Sequence, residues 1–389
     1  MTGNTPSSTH PPLPPTTEDD RFAWLRLLRC RRVGIATFFR LLAEHGTAQN
    51  ALLALPEVAR AAGMDAYEIC PPGVIEAEFK AARAAKARLL CLGDPDYPDQ
   101  LVDLNDAPPM LWAVGDIAMA KRPVLAIVGA RNASSLGMRM ARALARDLGQ
   151  QGFVIASGLA RGIDTAAHGA TLDSGTIAVQ AGGVDVMYPA ENTTLAHDIG
   201  AKGLRLSEQP MGLAPMARHF PARNRLISGL ARAVVVVEAA TRSGSLITAQ
   251  GALDQGREVL AVPGHPFDAR AGGCNALIRD GARLIRSAED VIEAIGPAKP
   301  DTPAREPRLP LNAPAPQRQA DKRSRQETID LHQQILARLG PSPVAEDSVI
   351  RDLGLPARAV APVLVDLELD GQVQRHSGGL LSRVTTANA

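Results

Sequence analysis

The chain has 389 residues, a formal net charge of +1, 45% hydrophobic residues and only 3% aromatic residues. This length suggests two or three domains, and the near-neutral charge favours no class of partner. No stretch approaches the roughly 18 consecutive apolar residues of a membrane span, so we expect no membrane association. The scarcity of aromatic residues disfavours a nucleic-acid site built from rows of stacking rings.

The N-terminal part reads as a tail followed by helices. Residues 1–20 are rich in Pro, Thr and Ser and lack a basic head with an apolar run, which predicts a disordered tail and not a signal peptide. Residues 21–90 place apolar residues at three- and four-residue spacings, which predicts a helical domain. Within it, RLLRCRRVGIATFFRLL resembles a helix–hairpin–helix, in which N–H groups near Gly34 would meet a phosphate. A purely structural helical module explains this segment equally well.

Cysteine usage points to a reducing compartment. The four cysteines are far apart and form no C-x-x-C motif: Cys30, Cys70, Cys91 and Cys274. We therefore expect reduced, buried thiols in the cytoplasm and neither disulfides nor a zinc site.

Residues 91–295 are predicted to form the central domain. Five short apolar runs end in small residues and are mostly separated by helical stretches: 124–130, 153–158, 176–183, 232–239 and 258–264. Apolar runs without alternation are typical of parallel strands covered on both faces. The fold class is therefore α/β, with a Rossmann-like, doubly wound, mostly parallel sheet. The turn-rich segment 89–116 adds two further short apolar runs.

The C-terminal part is predicted to be a linker and a small domain. Residues 296–326 contain seven prolines and little that could pack, which predicts a Pro-rich linker. Residues 327–389 read as three helices and two short strands, the pattern of a winged helix. From 341 to 389 the chain has four Arg or Lys against six Asp or Glu, including Asp366, Glu368 and Asp370 on the third helix. Because DNA affinity comes from neutralising phosphates, we expect a protein-contact or structural role here.

Glycine-rich segments follow the predicted strands, at the sheet edge where such folds bind ligands. Glycine lets the backbone approach a ligand closely, and the helix N-termini that follow present free N–H groups. These segments carry Arg131, Arg161 and Arg242. The segment HFPARNR at 219–225 adds Arg223 and Arg225. Arginine gives paired, charge-assisted hydrogen bonds to phosphate. Each arginine alone could be an ordinary surface residue, but their coincidence at one edge predicts a phosphate site.

Several enzymatic motifs are absent or ambiguous. Neither GLARG nor GARNASSLG matches G-x-G-x-x-G, and no P-loop occurs, so we predict no ATP hydrolysis and no cofactor. Asp164 and His168, four residues apart, could be an acid–base pair or metal ligands. A helix N-terminal Asp with a packed His is the simpler explanation, so no metal is predicted. Glu238, at the end of VVVVE, could be the carboxylate of a nucleoside-cleaving enzyme or the partner of an arginine.

Ordered segments within 121–290 resemble the DNA-processing protein A family, DprA/Smf: LAIVGARNASSLG, VIASGLARGIDTAAHGATLDSGTIAV, YPAEN, LRLSEQP, HFPARNRLISGLARAVVVVEA, SGSLITAQGALDQGREVLAVPG and GCNALIRDGA. The resemblance implies a Rossmann-like domain between an N-terminal helical, SAM-like domain and a C-terminal winged helix. It implies a recombination mediator of natural transformation that binds single-stranded DNA, protects incoming strands and assists loading of the RecA recombinase. It also implies a homodimer through the Rossmann domain, and no enzymatic activity.

The resemblance carries over to particular residues. It implies DNA contacts at the first arginine motif, at the turn 157–162 and at the segment 220–225. With the glycine-rich segments, the predicted DNA-binding set is Gly129, Arg131, Ser157, Gly158, Leu159, Arg161, Gly162, Phe220, Arg223, Asn224, Arg225, Ser243 and Gly244. The chain departs from the family's usual pattern at Ala130, at Leu136 and in QAGGVD at 180–185, which leaves the arginines in place but affects the pocket's shape.

Two other functions remain open from the sequence. One is a nucleotide-processing enzyme of the lysine-decarboxylase-like Rossmann type, although no glutamate matches that group's PGGxGTxxE motif. The other is a duplex-binding regulator acting through the winged helix, which the acidic balance of that segment disfavours.

Overall fold

The computed structural model describes residues 14–64, 66–298, 325–340, 342–355, 360, 363–364, 367–368, 372–376 and 380–384. The first thirteen residues of the predicted tail, most of the predicted linker, and Asp366 and Asp370 lie outside these ranges. The chain divides into two compact units, Met1–Ala304 and Arg305–Ala389.

Four helices open the first unit: α1 (Glu18–Leu28), α2 (Ile35–His45), α3 (Ala48–Ala61) and α4 (Pro72–Ala84). Helix α1 begins inside the segment predicted as a tail, because Thr17 and Asp20 form a capping box that satisfies free N–H groups at its start. The apolar faces of the helices meet around Trp24, Leu25 and Phe38, which are almost fully buried. The predicted N-terminal helical domain is confirmed.

The first unit continues as a nine-stranded sheet. Its strands are β1 (Arg88–Cys91), β2 (Met110–Gly115), β3 (Val124–Val128), β4 (Val154–Ser157), β5 (Thr176–Val179), β6 (Leu204–Ser207), β7 (Ala233–Val236), β8 (Glu258–Ala261) and β9 (Arg283–Leu284). Their order in the sheet is β1-β2-β6-β5-β4-β3-β7-β8-β9. Strands β1 and β2 run antiparallel to their neighbours, and the remaining seven are parallel. The predicted fold class, Rossmann-like and mostly parallel, is confirmed.

Helices cover both faces of this sheet: α5 (Asp99–Val102), α6 (Ser135–Gln150), α7 (Ile163–Ala170), α8 (Thr193–Lys202), α9 (His219–Leu230), α10 (Gly244–Asp254), α11 (Gly272–Arg279) and α12 (Ala288–Ile295). The packing of strand β3 on both faces explains why its sequence is apolar throughout. Leu125 and Ile127 pack with α6 and α7 on one face, whereas Val124, Ala126 and Val128 pack with α9 and α10 on the other. Each large apolar side chain buried this way contributes about 1.5–3 kcal/mol.

The chain order creates a crevice at the centre of the sheet. From β3 the chain moves outward through β4, β5 and β6, and then returns to place β7 on the other side of β3. The loops that follow β3 and β7 therefore diverge at their carboxyl ends, which is where ligands bind in open α/β sheets.

The buried carboxylate of Glu78 joins the helices to the sheet. Arg29 donates to it from Nε (2.9 Å) and Nη2 (2.7 Å), and Trp112 of β2 donates from Nε1 (2.8 Å). The backbone N–H of Met211 donates to the same oxygen as Trp112, at 3.4 Å. Apolar residues of α1–α4 and of β2 share one core around this carboxylate.

The second unit contains α13 (Arg325–Arg338), β10 (Val344–Ala345), α14 (Glu346–Leu353), β11 (Val373–His376) and β12 (Leu380–Arg383). The three strands form a sheet in the order β10-β12-β11 around a small core that includes Ile335, Leu364 and Leu381. Helices followed by a two-stranded wing match the predicted winged helix.

Candidate functional site

A cavity of about 710 Å³ opens at the crevice between the ends of β3 and β7. We call it the switch-point cavity. It is lined by the segment after β3, by the start of α7, by α9, by the segment from β7 into α10, and by the loop before α11: Val128–Asn132, Ala160, Asp164, Ala217, Phe220, Pro221, Arg223, Asn224, Ile227, Ala240, Arg242–Ser245, Ile247, Thr248 and Arg270.

The charge of this cavity is strongly positive. Its lining contains four arginines, namely Arg131, Arg223, Arg242 and Arg270, against one carboxylate, Asp164. Arg270 is ion-paired with Asp268 (3.1 Å) and approaches Glu238 (3.6 Å). Among the described residues, no carboxylate forms an ion pair with any of the other three arginines. Three of the four arginines are therefore without an ion-paired carboxylate in the described residues, and Asp164 acts on Arg223 only through its electrostatic field.

Arg223 is the most unusual of these arginines because it is buried. Its side chain extends from α9, its exposed fraction is 4%, and its Nη1 donates to the carbonyl of Val179 at 2.8 Å. Its Nε has no hydrogen-bond partner in the described part of the chain. Burial lowers the pKa of Arg223 to about 10, with Asp164 opposing that change, so the guanidinium stays charged at neutral pH. A buried cation without a paired carboxylate is costly, and a bound anion would offset that cost.

Gly158 makes this burial possible. A methyl group at position 158 would overlap Nη1, Cζ and Nη2 of Arg223, so the guanidinium lies directly on the glycine backbone. This is a close approach that no other residue type allows.

Phe220 brings an aromatic ring to the same place. The Cζ atoms of Arg131 and Arg223 lie 4.8 Å and 5.8 Å from its ring centroid, within the range of cation–π attraction. The ring of Tyr188 lies 6.0 Å away, centroid to centroid. Arg131 is exposed, so this contact holds a guanidinium above the ring while leaving its donors open to solvent.

The turn from Ser157 to Gly162 is held by internal bonds. Oδ2 of Asp164 accepts from the N–H groups of Gly158 (3.1 Å) and Ala160 (3.2 Å). Leu159 has a φ of +55°, a left-handed conformation that bulky residues rarely adopt. Gly162, with a φ of +78°, packs so closely on the carbonyl groups of residues 130 and 131 that a side chain there would overlap them. The turn is therefore fixed against the Arg131 segment.

Asp164 and His168 are structural. Leu159 N–H donates to His168 Nε2 (3.3 Å), while His168 Nδ1 lies 2.7 Å from the hydroxyl of Thr176. That hydroxyl donates to the carbonyl of Ile155, so Nδ1 carries the proton and both ring nitrogens are engaged. Burial lowers the pKa of His168 to about 3, which keeps the ring neutral, and burial raises the pKa of Asp164 against the effect of Arg223. In the described ranges, no group of three or more His, Cys, Asp or Glu side chains could hold a metal ion.

A second cavity, of about 360 Å³, adjoins the first. We call it the aromatic cavity. It shares Arg131, Ala160, Phe220 and Arg223 with the switch-point cavity. Its lining also includes three other predicted residues, Gly158, Leu159 and Arg161, and the ring of Tyr188. Arg161 is exposed and lies 3.6 Å from Glu191. The two cavities together form a continuous concave surface around Phe220.

Arg225 lines neither of these two cavities. Its Nη2 is ion-paired with Glu208, and its Nε is ion-paired with Asp106 at 3.1 Å. Burial raises the pKa of Glu208, and Arg225 opposes that rise. Two residues along a helix correspond to a rotation of about 200°, so Arg223 and Arg225 project from nearly opposite sides of α9. Arg225 lines a shallow groove that adjoins the switch-point cavity, because both include Asn224, Arg242, Ser243 and Gly244.

Other predicted residues shape the site through the backbone. Ser157 is fully buried and donates its hydroxyl to the carbonyl of Ile127, at 2.6 Å. A side chain at Gly129 would meet Ile163 Cγ1 at 2.6 Å and the carbonyl of Glu238 at 2.9 Å. Ser243 caps α10 through the N–H of Ser245.

At the sheet edge one arginine was missed, and Glu238 has one of its two predicted roles, the partner of an arginine, because Arg270 Nε lies 3.6 Å from its carboxylate. Arg270 is missing from the predicted set, although DARAGG follows the fifth predicted strand in the same way as the other arginine segments. The carboxylate of Glu238 accepts from Ser134 N–H (3.0 Å) and from its hydroxyl (2.7 Å), and so it ties the start of α6 to β7.

Comparisons with known proteins agree with this geometry. The sequence model of "DNA recombination-mediator protein A" matches residues 88–296, more than half of the chain. The chain belongs to the DprA/Smf family. Family models of the DprA-like N-terminal HHH domain and of the DprA winged helix domain match residues 18–81 and 315–379.

Individual members of the DprA/Smf family are similar over long segments. DNA processing protein DprA of Streptococcus pneumoniae is 46% identical over 201 residues, 51% of this chain and 71% of that protein. Protein Smf of Escherichia coli is 37% identical over 286 residues, 73% of this chain and 74% of that protein. The chain is thus related to recombination mediators, and the enzyme hypothesis is not favoured.

Two solved DprA structures share the fold. The X-ray structure of DprA from Streptococcus pneumoniae has a TM-score of 0.53 and 35% identity, covering 68% of this chain and 99% of that chain. A structure of DNA processing protein A from Helicobacter pylori, described for its single-stranded DNA binding mode, has a TM-score of 0.50 and 30% identity over 54% of this chain and 95% of that chain. In the described residues, no helix has both the length and the apolar content that a bilayer span requires.

Proposed function

We propose that this protein binds single-stranded DNA in the switch-point and aromatic cavities and acts as a recombination mediator. The observation that carries the proposal is Arg223, a buried guanidinium whose Nε has no hydrogen-bond partner in the described residues and whose side chain lines a cavity together with three other arginines. A phosphodiester supplies the missing negative charge and accepts charge-assisted hydrogen bonds. The single-stranded DNA binding of the Helicobacter pylori relative supports the same conclusion.

The arrangement favours a single strand over a duplex. The cationic groups lie within a concavity, and a flexible strand can enter it and turn its phosphates inward. A duplex carries its phosphates on the outside of a stiff, broad cylinder and would meet only the rim. Base contacts would be few, mainly with Phe220 and Tyr188, so binding should tolerate different sequences.

The predicted residues then divide into two roles. Direct contacts are assigned to Arg131, Arg161, Phe220, Arg223 and Asn224, with Arg242 and Arg270 added from the cavity lining. Backbone groups of the remaining cavity residues would approach the strand where no side chain intervenes: Gly158, Leu159, Ser243 and Gly244. Gly162 lines neither cavity and is assigned a positioning role, because it packs on the carbonyl groups of residues 130 and 131. Gly129, Ser157 and Arg225 are assigned positioning roles, because each is packed or paired within the protein.

Family membership extends the proposal to biological context. We infer that the protein protects incoming single strands in natural transformation, assists loading of the RecA recombinase and acts in the cytoplasm as a homodimer through its Rossmann-like domain. The proposed domains are a tail (1–20), a helical SAM-like domain (21–90), the Rossmann-like domain (91–295), a linker (296–326) and the winged helix (327–389).

An enzymatic function of the lysine-decarboxylase-like type has less support. The carboxylate that would serve it, Glu238, is buried and occupied by Ser134. Incubation with nucleoside monophosphates, followed by chromatography for released base, is expected to show no turnover above a protein-free control. If the wild type releases base and Glu238→Gln does not, the enzyme hypothesis would be supported.

The direct test compares labelled single-stranded and duplex oligonucleotides of equal length by fluorescence anisotropy. We expect tighter binding of the single strand and a small dependence on its sequence. Equal or tighter binding of the duplex would contradict the proposed function.

A further inference from the structure

Phe267 has an exposed fraction of 94%, the highest among large apolar side chains in the described part of the chain. It lies in the loop between β8 and α11, after the parallel strand that pairs with the edge strand β9. A phenylalanine that gains nothing from the protein interior, at the edge where such sheets bind ligands, suggests a contact outside the chain.

The loop around Phe267 is held by its own hydrogen bonds. Asp268 N–H donates to the carbonyl of His265 (2.9 Å), and Arg270 N–H donates to Oδ1 of Asp268 (3.0 Å). Asn275 fixes the start of the loop, because its Oδ1 accepts from Gly264 N–H (3.1 Å) and its Nδ2 donates to the Gly264 carbonyl (3.0 Å). The ring is therefore presented to solvent by a bonded turn.

The same loop supplies a cation to the switch-point cavity. Arg270, three residues after Phe267, lines that cavity and is held by Asp268 and Glu238 at 3.1 Å and 3.6 Å. The nearest ring to Phe267 is the imidazole of His265, at 5.5 Å between centroids. An apolar protein partner would need a contiguous apolar patch, whereas the loop neighbours named here are charged or polar. An exposed ring beside a cationic cavity is instead typical of single-strand binding sites.

We propose that Phe267 stacks on a base of the DNA strand whose phosphates occupy the switch-point cavity. This inference rests on the proposed function and adds a contact beyond the predicted set. It extends the strand's path from Phe220 to the loop after β8 and lengthens the segment of DNA that the protein covers.

The test uses Phe267→Ala in the full-length protein, with Leu53→Ala as a matched control. Leu53 is also exposed (78%) but lies on α3 of the helical region. Anisotropy is measured with oligothymidylates from about 4 to about 30 nucleotides, a range that brackets typical site sizes. We expect Phe267→Ala to bind the shortest strands as the wild type does and to lose about tenfold affinity for long strands, the effect of one lost base stack. Leu53→Ala should bind all lengths normally.

Two further variants identify the kind of contact. Phe267→Leu keeps an apolar side chain without a ring and should lose affinity as Phe267→Ala does. Phe267→Trp should retain affinity, and its fluorescence should be quenched when a base stacks on the indole. Unchanged affinity of Phe267→Ala for long strands would refute this inference but not the proposed function. The same holds if light scattering shows a change in oligomeric state that accounts for a loss of long-strand affinity. No single-strand binding by the wild type would refute the proposed function and this inference together.

Discussion

Removing Arg131 should change how DNA binding responds to salt. For single strands, each neutralised phosphate contributes about −0.7 to the slope of log K against log salt concentration. Three of the four arginines in the switch-point cavity, Arg131, Arg223 and Arg242, form no ion pair with the described residues, whereas Arg270 is paired with Asp268 and Glu238. If each of the three neutralises one phosphate, the wild-type slope is about −2.1. Arg131→Gln should reduce it to about −1.4, because Arg131 is exposed and forms no ion pair with the described residues. Its removal therefore leaves no carboxylate without a partner.

Arg225→Gln provides the contrast. Arg225 already has two carboxylate partners, Glu208 and Asp106, so it should contribute little to the slope. Its loss would leave Glu208 buried without its cation, and we expect a loss of stability of about 3–5 kcal/mol, as for other broken buried pairs. Arg146→Gln, on an exposed residue of α6 paired with Asp147, is the neutral control for both measurements.

The assay is anisotropy of one labelled oligothymidylate across a series of NaCl concentrations, with urea unfolding of each variant alongside. A slope that is the same for Arg131→Gln and wild type would refute the assignment of a phosphate to Arg131. A slope change in Arg225→Gln equal to that of Arg131→Gln, in a protein of normal stability, would contradict the geometry of α9.

Two further predictions concern the buried surroundings of the site. Gly158→Ala should lower single-strand affinity and thermal stability together, because its methyl group displaces the Arg223 guanidinium. Gly169→Ala, whose added methyl group meets nothing within 4 Å, should lower neither. Normal binding by Gly158→Ala would contradict the packing of Arg223 on Gly158. Burial holds the pKa of His168 near 3, so the unfolded chain takes up a proton below its ordinary pKa of 6.5 while the folded chain does not. Wild-type stability should therefore fall by about 1.4 kcal/mol per pH unit from this group between pH 6.5 and about 3, and urea unfolding of His168→Gln should lack that component. Parallel pH profiles of the two proteins would show that His168 is not buried neutral.

The sequence predicts the centre of the sheet well because its strands are buried on both faces. Each of β3, β4, β5, β7 and β8 is an apolar run followed by a small or glycine-rich turn. Strand β6 was not predicted, since Arg205 and Ser207 interrupt its apolar character. These polar groups are nonetheless buried, because Arg205 Nη1 donates to the Val184 carbonyl (3.0 Å) and Ser207 Oγ donates to the Gly182 carbonyl (2.6 Å). Such partners arise only after folding.

The candidate site was predictable only in part for a similar reason. Parallel strands end at one sheet edge, so Arg131 and Arg161 could be grouped from the segments that follow their strands. The sequence does not predict helix α9, because Pro221 lies near its start and its apolar residues show little periodicity. The helix forms nonetheless, since proline is tolerated in a first turn, where the backbone N–H has no partner within the helix. Without the helix, the opposite directions of Arg223 and Arg225 could not be known.

The carboxylate of Glu78 has a consequence for cooperativity. It accepts hydrogen bonds from Arg29 in the first helix region, from Trp112 in the sheet and from the Met211 backbone, and apolar residues of both regions surround it. A chain shortened to start at β1 would expose the indole and the apolar residues Met110 and Val114 of β2, which pack with the opening helices. The opening helices are therefore not a detachable accessory, and denaturation of residues 18–298 should proceed as one all-or-none event rather than in two stages.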